Sequence, residues 1–348
     1  MHPASRGAAT AGSLLSLLVM LGIAGCGGAD RDGAAPEQGR EVVASGDGAD
    51  VPGAPVLPDS LAVSEDGSEV LADCWRGVCR WGAEDGRLHR VDEGSHVAVR
   101  PDWSLLAGVG DAATVLLVDP RSGDVVRELH GLDSDDAVDG EAVRAVVFSP
   151  DGRLVAASAG HSVIVWAVAD GAEVAAIDGE GSALAFSPDG ARLAVGGERI
   201  RVHDVASGVE LATLPGSTAG ANGLAWSADG AWIAGSGPHR APTVWHADDH
   251  VLAARAGSGA LVDLAFSPDS RRLAFTTKDA SSVWLWGPEA LGGDRSGVRE
   301  LAGHTTDPVA VAFSPDGRRL YSVSGVDGVL AWDVGRGELL RRFELPER

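Results

Sequence analysis

Cys74 and Cys79 flank Trp75-Arg76-Gly77-Val78, a segment that reads as a tight hairpin. The ends of a short hairpin face each other with Cα atoms roughly 4.5–5.5 Å apart, which suits a disulfide. A Cys74–Cys79 bridge is therefore expected, stiffening a loop that presents Trp75 and Arg76; two free thiols are the alternative. The closed loop is short, so its stabilisation would be modest. No second Cys pair or His cluster stands beside it to make a metal site. A second candidate is the acidic run 133–141, where Asp133, Asp135, Asp139 and Glu141 could hold Ca²⁺. Its spacing fails at Ala137, where a third acid is wanted, and no Glu follows at the twelfth position; a solvated acidic loop is the plainer account. The pattern His246-Ala247-Asp248-Asp249-His250 also looks metal-like, but on a turn its two His share no helical face. No Gly-x-Ser-x-Gly elbow, Walker loop or Rossmann glycine pattern is present, and no pair of carboxylates stands out. The chain is expected to be no enzyme and to need no cofactor.

What positions these residues is a repeated turn. Ser149-Pro150-Asp151-Gly152 recurs as Ser187-Pro188-Asp189-Gly190 and Ser314-Pro315-Asp316-Gly317. Weaker copies start at Ser64, Arg100, Ser227 and Ser267, giving seven starts about 42 residues apart, a spacing that marks a repeat architecture. Pro presets φ for the first central position, Asp tolerates the second, and Gly accepts positive φ. In residues 143–177 the turn follows an apolar strand, Val143 to Phe148, expected to be buried on both faces. Three more short strands follow, making a four-stranded antiparallel meander. One such sheet cannot bury both faces; stacking like sheets around an axis does. The fold expected over 59–348 is all-β, a seven-bladed propeller of four-stranded blades.

Each third strand carries a ring at a matching place: Trp81, Trp166, Trp245, Trp286 and Trp332, with His203 and Val118 in the same slot of blades four and two. The first strands end in Phe148, Phe186, Trp226, Phe266 and Phe313. Filling the space between sheets accounts for both sets. Gly303-His304, the turn at Ser314 and Trp332-Asp333 together resemble the WD40 family of β-propellers, over residues 59–344. The turn is also shared with TolB-like propellers. The WD40 resemblance implies a hydrogen-bonded tetrad of His304, Ser322 or Ser324, Asp327 and Trp332, although Asp327 sits about one residue nearer the Trp than the pattern wants. The family usually closes its ring by lending a terminal strand to the other end, whereas both ends here supply whole blades.

The first residues set the compartment. Arg6 precedes an apolar run from Ser13 to Ile23, too short to span a bilayer and the length of a secretory core. It ends in Ile23-Ala24-Gly25-Cys26, which resembles the lipobox of bacterial lipoproteins. The resemblance implies a signal peptide over 1–25 and acylation, palmitate included, at Cys26, anchoring the chain to the outer face of a cell membrane or to an outer membrane. Residues 26–58, rich in Gly, Ala, Asp and Pro, read as a flexible tether reaching roughly 30 Å.

The net charge is −22, which repels phosphate backbones and argues against a nucleic-acid partner. The Trp75 loop, 133–141, Pro238-His239-Arg240 and the connection 294–307 are all expected on the face formed by the d–a and b–c loops. Trp75, Arg76, His239, Arg240 and His304 are the candidate contact residues there. The function expected is a lipid-tethered, monomeric, non-catalytic scaffold that binds a protein or another cell-envelope component. A propeller enzyme, such as a metal-dependent hydrolase or lactonase, is the alternative class. It would need acids and His converging on the axial channel, where only Asp263 interrupts apolar strand starts.

Overall fold

The repeated turn is built by its serine. In the third copy Ser149 Oγ donates to Asp151 Oδ1 (2.7 Å) and accepts the amide of Leu154 (2.9 Å). Gly152 N closes the turn on Ser149 O (2.8 Å), and Arg153 N binds Asp151 Oδ1 (3.0 Å). The Ser187, Ser267 and Ser314 copies repeat this arrangement, and Ser64 and Ser227 do so without the proline. The serine hydroxyl is the leading cause that holds Asp151, Asp189, Asp269 and Asp316 below the usual carboxylate range. The fourth position has positive φ in all seven copies, including Trp103 (58°) and Ser270 (57°). A side chain there costs about 1–2 kcal/mol; Ser270 offsets this by accepting the amide of Asp229 in the neighbouring blade (3.0 Å).

The structure, a computed structural model, describes residues 61–343 except 75–76, 93–97, 111–112, 133–142, 218–222, 238–239, 256–260, 279 and 288–296. These lie in one compact unit, Gly53–Arg348. They form seven four-stranded antiparallel sheets, each of four consecutive strands, a to d from the axis outward, with no α-helix among the described residues. The blades span 61–92, 98–129, 143–178, 183–213, 224–255, 261–302 and 308–342. Between strands c and d a bulge falls at the ring slot in every blade but the sixth, for example between Val165 and Trp166. In the same six blades the c–d turn places a residue of positive φ, such as Gly171 (76°) or His250 (60°), with its amide bonded four residues back.

The slot rings are buried as expected: Trp81, Trp166, Trp245, Trp286 and Trp332 are all under 4% exposed, and His203 is buried too. Trp166 and Trp245 donate their indole N–H to backbone carbonyls that precede their own blade, His130 O and Pro215 O. The inner strand differs from expectation. Only Val143 of Val143–Phe148 is fully buried; Arg144 is exposed and the rest are half-buried. Strand a of blade four, Ala183–Phe186, is by contrast buried throughout.

Among the described residues no strand is exchanged between the first and last blades. Strand a of blade one (Leu61–Val63) packs on strand a of blade seven (Pro308–Phe313). One cluster spans the two blades, including Val70, Trp81, Ala310, Tyr321, Val329 and Phe343. Phe343 meets Trp81 edge-on (6.2 Å) and Tyr321 likewise (5.9 Å). At the rim, Arg319 pairs with Glu84 (3.0 Å) and Arg341 Nη1 donates to Asp85 O (2.8 Å). The Arg341 contact is one of a set. Arg127 donates to Asp170 O and Ala169 O, and Arg299 to Gly335 O, each from strand d of one blade to the c–d turn of the next. A Cβ on Gly86, Gly171 or Gly337 would strike the stapling arginine at 2.5–2.8 Å. Glycine at these turns therefore serves positive φ and the passing guanidinium together.

Tyr321 is fully buried in this seam, and its hydroxyl has no partner in hydrogen-bond geometry, although Arg319 acts on it electrostatically. Tyr321→Phe is therefore expected to leave unfolding stability unchanged or raise it by about 1 kcal/mol. Chemical denaturation measures this, and a loss above about 1 kcal/mol would mean the hydroxyl is satisfied in solution.

Candidate interaction face

The two faces of the propeller differ in how their loops vary. The a–b turns are five or six residues long in every blade. The d–a connections run from four residues (179–182) to thirteen (130–142). The face of d–a and b–c loops carries two long connections, 130–142 and 214–223, whereas the opposite face has one long loop, the c–d connection 287–297. Of the residues expected there, Trp75, Arg76, His239 and the calcium candidates Asp133, Asp135, Asp139 and Glu141 lie outside the described residues. Arg240 opens strand c of blade five, paired with Gly237.

The connection 294–307 is corrected. Strand d of blade six is Val298–Ala302, paired with strand c from Trp286↔Val298 to Ser282↔Ala302. The long insertion, 287–297, is therefore a c–d loop on the opposite face, where the other blades have four to six residues. Only 303–307 is a d–a connection. The segment Val298-Arg299-Glu300-Leu301-Ala302 does not alternate cleanly, so its sequence gives only a weak sign of the strand.

The hairpin after Asp73 also differs in detail. Cys74 pairs with Gly77 and Cys79 with Ala72, so the two cysteines are diagonal neighbours in register, not directly opposite. Cys79 is fully buried and disulfide-bonded. Cys26 lies outside the described residues.

His304 is corrected more sharply, since it is not available to a partner. It is 6% exposed and belongs to an assembled tetrad. Trp332 Nε1 donates to Ser322 Oγ (2.8 Å), and Ser322 Oγ meets His304 Nε2 (2.6 Å). His304 Nδ1 faces Asp327 Oδ2 (3.4 Å). A neutral imidazole with its proton on Nδ1 satisfies all three contacts. The early position of Asp327 does not break the set, because its carboxylate also takes Thr305 N (2.7 Å), Thr305 Oγ1 (2.7 Å) and Ser324 Oγ (3.0 Å). Burial pushes His304 down to about 4 against the pull of Asp327. Burial opposes the charge on Asp327 as well, but the hydrogen bonds from Thr305 and Ser324 outweigh it and hold the carboxyl at about 2. The tetrad clamps the connection from blade six onto the b–c hairpin of blade seven. Asp333, next to it, accepts the amide of Arg336 (2.7 Å) and shapes the c–d turn.

Among the described residues no three His, Cys, Asp or Glu side chains gather as a metal site would. His246 stacks on Trp232 (4.4 Å) and His250 fills the left-handed position of the c–d turn. On the opposite face a cleft of about 360 Å³ opens between the first two a–b turns, lined by Ser64, Glu65, Asp66, Ser68, Glu69, Asp102 and Trp103. Sequence reasoning did not find it, because it depends on which turns become neighbours.

This geometry defines the chain as a seven-bladed β-propeller. The family described as "WD domain, G-beta repeat" matches residues 136–167, 208–240 and 295–331, so WD40 repeats stand at three positions. Each match ends within a blade, the third at Ala331 beside the tetrad tryptophan. No curated protein matches the sequence. Solved structures match in large numbers, 1720 chains, which marks a widely used fold and singles out no activity. One is a chain in "Crystal Structure of Mitotic Checkpoint Complex", 20% identical, with a TM-score of 0.66, covering 79% of this chain and 86% of that one. At that identity the likeness is one of fold.

Proposed function

We propose that the chain is a non-catalytic protein-binding scaffold, held by acyl chains on Cys26 at the outer face of a membrane and presenting its d–a/b–c face to a protein of the cell envelope. The observation that carries the reading is that two d–a connections are long, 130–142 and 214–223, while the opposite face has a–b turns of five or six residues and a single long c–d loop, 287–297. WD40 repeats at three positions and a fold neighbour within a protein complex support it. The lipobox-like Ile23-Ala24-Gly25-Cys26 supports the anchor. The disulfide at Cys79, assigned to Cys74, supports an oxidising compartment. Among the described residues the charged positions on the inner strands are Arg144 and Asp263, which favours binding over hydrolysis.

Affinity capture of the tagged full-length chain from detergent-solubilised envelopes tests the reading. A partner held by the wild type and lost with Trp75→Ala is expected; equal capture by both places the contact elsewhere. Labelling with a palmitate analogue tests the anchor. Label is expected on the wild type and absent from Cys26→Ser, and label retained on that variant would remove the anchor from the proposal.

A further inference from the structure

Asp263 lies in strand a of blade six (Leu261–Phe266), where an apolar residue stands in the neighbouring blades. The strand is bulged between Leu261 and Leu264, and strand a of blade seven is bulged between Pro308 and Ala310. The two bulges bring the blades together through one side chain. Asp263 Oδ2 accepts the amide of Val311 across the seam (2.9 Å), while its own amide binds Thr276 Oγ1, a fully buried hydroxyl (3.1 Å). The inner strands have no further partner on their axial edge, so this carboxyl supplies the acceptor that Val311 N–H would otherwise lack.

The groups that act on its carboxyl are backbone amides, with no charged side chain among them. The strands packed on this one are strand b of its own blade (Leu273–Thr277), strand a of blade seven, and strands a (Leu224–Trp226), b (Trp232–Gly237) and c (Arg240–His246) of blade five. Their only titratable or charged residues are Arg240 and His246, at the two ends of the last. Asp263 keeps some accessible area beside the channel, but protein crowds the carboxyl elsewhere. Burial raises it to about 6, against the hydrogen bonds from Val311 and Leu264.

We propose that Asp263 makes the seam between blades six and seven a proton-dependent joint, tight when the carboxyl is protonated and loosened when it is ionised. The ionised carboxylate is more comfortable in water than in the seam, so raising the pH favours any local opening that wets it. The sign follows from linkage. The open form releases its proton near the ordinary carboxylate value and the closed form near 6, so stability of the joint is full at low pH and falls as pH rises through 6. Between pH 5 and 7.5 the population of the open joint increases about tenfold. His304, in the connection leading into blade seven, works in the opposite sense, so a variant comparison is needed to isolate Asp263. The joint does not depend on the partner reading above.

Hydrogen exchange of the full-length protein, followed in peptides covering 261–266 and 308–313 and corrected for intrinsic rates, tests it. In the wild type, protection is expected to fall between pH 5 and 7.5 by about tenfold more than in Asp263→Asn, which keeps an acceptor for Val311 but carries no charge. Peptides covering 154–167 in blade three are expected to respond equally in both proteins. Asp263→Ser makes the same comparison if the amide variant does not fold. Equal pH dependence in wild type and variants overturns the proposal.

Discussion

Trp81→Ala is expected to lower unfolding stability by about 3–5 kcal/mol, the usual cost of deleting a fully buried tryptophan. Trp81 fills the slot of blade one and meets Phe343 at the seam with blade seven. The same truncation at Trp166 removes a similar volume from a seam that the chain itself crosses, on its way from blade two to blade three. The two variants should therefore cost alike in energy but differ in cooperativity. Trp81→Ala weakens the core of the seam that joins the ends of the ring, where no covalent link crosses, so part of the ring can open before the rest. Its denaturant m value is expected to fall, while that of Trp166→Ala stays near wild type. A loss below about 1 kcal/mol for Trp81→Ala would show that the closing seam is not packed in solution as described.

Asp327→Ala is expected to cost about 1–3 kcal/mol, chiefly because it leaves the buried ring of His304 without its acceptor, the lost bonds to the exposed Thr305 adding little. Acid weakens the same clamp in two steps. His304 is depressed to about 4, so its contribution is complete above the free histidine value near 6.5 and is lost as pH falls towards 4, on the order of 3 kcal/mol in all. Asp327 is depressed to about 2, so its share is present above about 4 and disappears only below that. Denaturation midpoints from pH 8 to 4 measure the first step. The wild type should lose stability across that window relative to His304→Gln, and parallel curves would show that the imidazole is not buried neutral.

What sequence made legible was local. The turn at Ser149 is specified by four adjacent residues, and its fourth-position φ is positive in all seven copies, even where Trp103 and Ser270 replace glycine. The tryptophan slots follow from strand periodicity. The tetrad was harder, since Asp327 lies off the expected spacing; it forms because Thr305 and Ser324 hold the carboxylate whatever its register. Strand d of blade six was misplaced because eleven residues separate it from strand c, more than the usual turn allows. The arginine staples were not legible at all. Arg127, Arg299 and Arg341 reach turns 36 to 256 residues away in sequence, and a strand-d arginine otherwise reads as a solvated charge. The same holds for Asp263, which sequence marked as an interruption and only the seam explains as an acceptor for Val311.

A ring closed by side chains alone has no composite blade, and this changes what the first and last blades are. Every sheet is made from one uninterrupted piece of sequence, and the seams use the same kinds of contact: slot side chains, stacked turns and, at five of them, arginine to carbonyl. Chain order and spatial order are then the same cyclic series, with the break in covalent continuity falling between two ordinary neighbours. In such an assembly one repeat can be gained, lost or exchanged as a single cassette of about 42 residues without any other blade being rebuilt. The face of d–a and b–c loops can diversify loop by loop for the same reason, because each d–a connection is anchored at both ends by a blade that is complete without it.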